Sequence, residues 1–291
     1  MRQPLKSLFF VRRPFDMQKI RAVLLSLFTL VLLAGCGGTG FPPQVTAVKA
    51  QVLQYGRTAT IYVGGVDLRS NMVADLGGGC TSPAFASSST TETLVLNCTV
   101  TAIGDLPLTL KSATGELIYS TTLNVPTPRV QLTTASGNIT LELDPTRAPV
   151  TVKNFLSYVH SGYYKDTLFH RVIAGFMVQG GGYTSGMVKK TGQLAPIALE
   201  SNKGLSNLRG TLAMARTDAK DSATSEFFIN VVDNTYLDYQ SEAKPGYAVF
   251  GKVVQGMEVV DTIATQATGT SHGYADVPLT DVTITLAQQI Q

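Results

Sequence analysis

The chain has 291 residues, room for two modest domains. Its formal charge of +3 comes from 23 Lys and Arg against 20 Asp and Glu. Residues 1–35 hold six of the bases (Arg2, Lys6, Arg12, Arg13, Lys19, Arg21) and one acid, Asp16, leaving 17 basic and 19 acidic residues for the rest, so composition gives no support to nucleic-acid binding.

Residues 1–35 read as a signal segment whose expected true start is Met17. From there "MQKIRAVLLSLFTLVLLAGC" places Lys19 and Arg21 ahead of the apolar run Ala22 to Leu33. That run is short for a membrane span and has the flanks of a secretory signal. Leu33 to Cys36, "LAGC", resembles the bacterial lipobox. The resemblance implies lipidation of Cys36, attachment to a membrane through the acyl chains, and a body facing the periplasm. Gly37 stands where an Asp would mark inner-membrane retention, so the outer membrane is the expected address. Cys80 and Cys98 are then left as an even pair in an oxidising compartment. A disulfide between them would contribute roughly 3 kcal/mol by loop closure; two buried free thiols are the alternative.

Residues 36–44, from Cys36 through "GGTGFPPQ", form a tether too small to fold. Residues 45–125 carry short β-rich runs ("TATIYV", "TLVLNCTV", "LPLTLKS", "ELIYSTTL") separated by Gly- and Ser-rich turns, with no amphipathic helix. The pattern predicts a small β-sandwich that looks like an immunoglobulin-like domain. "NVPTPRV" marks the joint to a second domain over 129–288. There "RVQLTT" and "NITLEL" flank a turn at Gly137, and "APVTVKNFLSYVHSG" puts Val152, Phe155, Leu156 and Val159 at helical spacing before Gly162. The strands "FFINVV" and "YAVFGKVV", a helix "GMEVVDTIA" and a last strand "VTITLA" complete it. The fold class is mainly β: a closed barrel capped by two helices, preceded by a sandwich.

Chemistry is narrowed by elimination. None of the three His (His160, His170, His272) has a Ser or Cys partner by motif, and His170 reads as a structural residue facing away from Arg171 on a strand. Two Cys without a nearby His supply no metal set, "GGGY" lacks the spacing of a phosphate or dinucleotide loop, and no cofactor is expected. What remains is "FHRVIAGFMVQGG", an apolar segment carrying Arg171 and Gln179 with no nucleophile beside them.

That segment, with "GTLAMART", "SATSEFFIN" and "YAVFGKVVQGMEVVD", resembles the cyclophilins, a family of peptidyl-prolyl cis/trans isomerases, and most of all their bacterial branch. The resemblance spans about Val130 to Ala287. It implies an eight-stranded antiparallel barrel with two capping helices, and proline-containing polypeptides, here exported proteins, as partners. By motif position it makes Arg171, Phe176 and Gln179 catalytic. It makes Met177, Phe228 and Leu237 the proline pocket with Phe176, and assigns the backbone of Ala215, Arg216 and Thr217 to the residue before proline. Tyr247, Glu226 and Tyr236 complete the substrate-binding set.

Two positions depart from the family pattern. Glu226 stands where Gln is usual; a carboxylate facing Arg171 would either order the guanidinium or hold it in a salt bridge, altering turnover and pH dependence. Tyr236 replaces the Trp of cyclosporin-sensitive members, which implies weak inhibition by cyclosporin. The alternative to an isomerase is a low-turnover module of the cell envelope that grips proline segments.

Overall fold

The computed structural model describes residues 42–291; the signal segment and Cys36 lie outside the described residues. Seven strands come first: β1 (Gln44–Gln51), β2 (Thr58–Val66), β3 (Val73–Asp75), β4 (Cys80–Phe85), β5 (Thr93–Val100), β6 (Gly104–Lys111) and β7 (Leu117–Val125). They form two antiparallel sheets, β1-β2-β5-β4 and β3-β6-β7. Strict alternation decides how the sheets meet. Leu94, Leu96, Cys98 and Val100 point inward from β5, and Leu106, Leu108 and Leu110 do so from β6. The two apolar faces bury one another in a single core. Cys80 and Cys98 are joined, with Cα atoms 5.6 Å apart, across neighbouring strands of one sheet.

The chain crosses Pro126–Pro128 and enters a second core with β8 (Arg129–Thr134) and β9 (Gly137–Leu143), the expected hairpin. Helix α1 (Pro149–His160) follows, with Val152, Phe155, Leu156 and Val159 buried as its spacing predicts. Pro149 starts it without needing a backbone donor. Its free amides are met from afar: the buried Glu200 carboxylate accepts from Val150 N at 3.2 Å, Thr151 N at 2.8 Å and Thr151 Oγ1 at 2.7 Å. Gly162, at φ 70°, takes the left-handed turn that ends the helix.

Next come β10 (Thr167–Leu168), β11 (Arg171–Ile173), β12 (Met177–Gly180), β13 (Tyr183–Thr184), β14 (Val188–Lys189), β15 (Thr211–Met214), β16 (Phe227–Asn230) and β17 (Val249–Gln255). Helix α2 (Met257–Ala264), the hairpin β18 (Thr268–Ser271) and β19 (Tyr274–Pro278), and β20 (Thr283–Gln289) close the chain. One antiparallel sheet runs β10-β20-β8-β9-β17-β15-β16-β12-β11. Its two end strands, β10 and β11, are consecutive in the chain and separated only by Phe169 and His170. The sheet therefore curls until its edges meet through one kinked segment, and counting that segment once gives the eight strands of the expected barrel. The interior is aromatic, with Phe155 5.2 Å from Tyr164 and 5.5 Å from Phe227 by ring centroids.

Candidate active site

Sheet register assembles the site. Residues directly opposite in neighbouring strands point to the same side. Val172, Val178, Ile229 and Leu212 form one such row and fill the core. The adjacent row, Arg171, Gln179, Phe228 and Ala213, faces the other way. Four strands from three stretches of sequence thus deliver a guanidinium, an amide and an aromatic ring to one surface.

Loops supply the rest. Gly175, at φ 68°, turns the chain between β11 and β12 and brings Phe176 to the rim. The Phe176 carbonyl accepts from Val231 N at 3.1 Å and from Asn234 Nδ2 at 2.9 Å. Asn234 also donates to Asn230 Oδ1 at 2.8 Å, and it begins the 3-10 turn Thr235–Leu237. One buried amide therefore ties Phe176 to the turn that presents Leu237. Tyr247 N donates to the Leu237 carbonyl at 2.9 Å, and the Tyr247 ring meets Phe228 edge-on at 5.6 Å. Arg216 lies over the Tyr247 ring at 4.7 Å and donates through Nε to Gly246 O at 2.9 Å.

The result is a groove of about 230 Å3 lined by Arg171, Phe176, Met177, Gln179, Ala215, Arg216, Phe228, Leu237 and Tyr247. Every one of these is a residue that the resemblance singles out. Three others stand apart. Thr217 is exposed, with its N–H and hydroxyl both directed to Ser222 Oγ. Tyr236 is 63% exposed and stacks 6.2 Å from Phe176 on the outer rim. Glu226 lines a neighbouring hollow together with His170, Tyr183 and the tip of the β18–β19 hairpin.

The electrostatics correct two expectations. Glu226 makes no salt bridge with Arg171. Its Oε2 lies 3.3 Å from His170 Nε2 and accepts from Gln179 Nε2 at 2.9 Å. The carboxyl occupies the space over Gly182, where a Cβ would come within 2.5 Å of it, and there it meets His170. His170 in turn does not face away from the site, because strand alternation is broken at the kink between β10 and β11. Arg171 has Asp276 as its carboxylate neighbour, with Nε 3.7 Å from Oδ2, and donates through Nη1 to Gln179 Oε1 at 3.4 Å. Burial pushes the Glu226 carboxyl up, but the hydrogen bond and charge of His170, with Gln179 and Lys189, outweigh it and hold the group below the ordinary carboxylate value. Asp276, Tyr274, Tyr183 and Asn234 escape motif reading; the turn residues "SHG" at 271–273 are the local signal for the hairpin that brings two of them in.

Residues 129–289 match the family model for cyclophilin type peptidyl-prolyl cis-trans isomerases. The chain belongs to that family. The match covers over half of it and coincides with the second core. Among relatives, the peptidyl-prolyl cis-trans isomerase A of Dickeya dadantii is 55% identical over 162 residues, covering 56% of this chain and 84% of that protein. The peptidyl-prolyl cis-trans isomerase B of Escherichia coli is 54% identical over 153 residues, covering 52% and 93%. A solved Cryptosporidium parvum cyclophilin, crystallised in the presence of the dipeptide Ala-Pro, superposes with a TM-score of 0.47 at 27% identity, over 56% of this chain and 99% of its own. This cyclophilin is a peptidyl-prolyl cis-trans isomerase whose barrel is preceded by a β-rich region.

Proposed function

We propose that the enzyme turns X–Pro bonds in exported polypeptides by hydrogen bonding from Arg171, and that its Cys36 anchors it to the outer membrane with the barrel in the periplasm. Rotation about the bond costs about 18–20 kcal/mol because amide resonance is lost. At the half-turned state the prolyl nitrogen regains a lone pair and becomes an acceptor. A guanidinium donates to it without giving up its proton, and this interaction is strongest where the barrier is highest. Phe176, Met177, Phe228 and Leu237 hold the ring, while Ala215 and its neighbours hold the residue before it.

The observation that carries this reading is the placement of Arg171 and Gln179 on the edge of an apolar groove. Gln179 steadies the guanidinium on one side while leaving other N–H groups for substrate. Each 1.36 kcal/mol is about tenfold in rate, so a few kcal/mol from Arg171 corresponds to roughly a hundred- to thousandfold. Turnover of a proline peptide by the parent and by Arg171→Ala tests it, and equal rates sink the mechanism. The envelope reading is tested separately: Cys36→Ser should release the protein from membranes to the soluble fraction of cells. The N-terminal β region, read as immunoglobulin-like and stapled by Cys80–Cys98, would then space the barrel from the membrane or engage clients.

A further inference from the structure

The hollow beside the groove has a chemistry of its own. It measures about 380 Å3, shares Arg171 and Gln179 with the groove, and is closed on its far side by residues 273–276 of the β18–β19 hairpin. Glu226 and Asp276 contribute carboxylates to it, and Arg171 is the one Lys or Arg among the residues that line it.

Its polar atoms are acceptors with room to spare. Glu226 Oε2 takes the bonds from Gln179 and His170, whereas Oε1 takes none among the described residues. The Asp276 carboxylate accepts no hydrogen bond among them either; its neighbour Arg171 Nε, at 3.7 Å, is beyond bonding reach. His170 is 5% exposed, and its Nδ1 has no partner. Because Nε2 faces an acceptor-only carboxylate, it is the donor nitrogen of the ring. The hydroxyls of Tyr183 and Tyr274 bond to one another at 3.3 Å, with rings 5.1 Å apart that offer an apolar wall. Lys189 acts on Glu226 at a distance but does not line the hollow.

An acceptor-rich, apolar-walled hollow matches a long side chain that ends in a charged cluster of donors. We propose that it is a subsite for the lysine or arginine of a substrate in which that residue lies within two positions of the proline. This rests on the groove being the proline site, and it makes Glu226 and Asp276 determinants of specificity.

The test uses neutral peptides with one proline and Lys, Gln or Glu at each of the two positions on either side. The parent, Glu226→Gln, Asp276→Asn and the double variant are compared by kcat/KM. At one position the parent should favour Lys over Gln by about fivefold at low salt, the size of a partly exposed ion pair. Glu should rank last there, and the preference should fade with added salt and in the double variant. Lys:Gln ratios within twofold of one at all four positions overturn the subsite, as does a preference that survives the double substitution. Turnover of the all-neutral peptide reports on the proline site alone: with it present, flat ratios sink the subsite only, and with no turnover of any peptide both fall.

Discussion

Glu226 and His170 meet at 3.3 Å through Oε2 and Nε2, at the end of a chain of contacts that continues through Gln179 to Arg171. The carboxylate fixes the amide. Since Glu226 can only accept, Gln179 must turn Nε2 toward it and Oε1 toward the guanidinium. The departure from the usual Gln at this position therefore orients Arg171 through an intermediary rather than trapping it.

The consequence for pH follows from sign. The folded-state pKa of Glu226 is lowered, so the stability it contributes is present above the ordinary carboxylate range and is lost as pH falls through the lowered value. Relative to Glu226→Gln, the parent should gain about 1 kcal/mol at pH 7 and lose that advantage well below pH 4. Paired denaturant titrations at the two pH values check it. A difference that does not change with pH contradicts the assignment. Because Glu226 stays ionised from about pH 5 to 8, its own titration should not bend the activity profile within that window.

Asn234 holds two walls of the groove at once. Asn234→Ala leaves the buried Asn230 Oδ1 and the Phe176 carbonyl each one donor short, a cost of roughly 1–3 kcal/mol in stability. The kinetic effect should fall mainly on KM, rising several-fold with kcat less affected, because ring binding and not Arg171 is disturbed. Asn234→Asp lacks the donors and should behave like Ala; full activity in Asp alone would show that the bond to Phe176 is not what matters.

Glu200 substitutes for the missing N-cap of α1. Removing it as Glu200→Ala should cost roughly 1–3 kcal/mol, since two backbone amides and the Thr151 hydroxyl lose their acceptor in a buried place. Thermal denaturation reads the loss as a Tm several degrees lower. An unchanged Tm would mean water serves those groups equally well.

Tyr236 stands 63% exposed on the rim, stacked beside Phe176 with open space around it. A larger ring fits there without repacking. Tyr236→Trp should tighten cyclosporin binding, which a titration of inhibition measures; an identical inhibition curve for parent and variant rules out this position as the source of weak binding.

Much of the barrel was legible because its signals are local. The Gly137 hairpin, the spacing of Val152, Phe155 and Val159 in α1, and the groove residues of "FHRVIAGFMVQGG" and "EFFIN" all lie within short stretches whose period or motif speaks for itself. What stayed hidden is non-local. Asp276 adopts φ 61° within β19, where the pairing with β18 shifts register, and reaches Arg171 from over a hundred positions away, and no spacing rule links them. Glu200 caps α1 from another loop for the same reason. The direction in which His170 faces is hidden because alternation holds only within an unbroken strand, and the kink at Phe169 and His170 is a property of barrel closure rather than of either residue.

Whether Arg171 carries the rate is read from kcat/KM for a neutral proline peptide with the parent, Arg171→Lys and Arg171→Ala, each shown to be folded by its near-parent Tm. Arg171→Ala should lose roughly a hundred- to thousandfold, with Lys restoring only a small part because it lacks the planar fork. A loss of threefold or less in Arg171→Ala would contradict it.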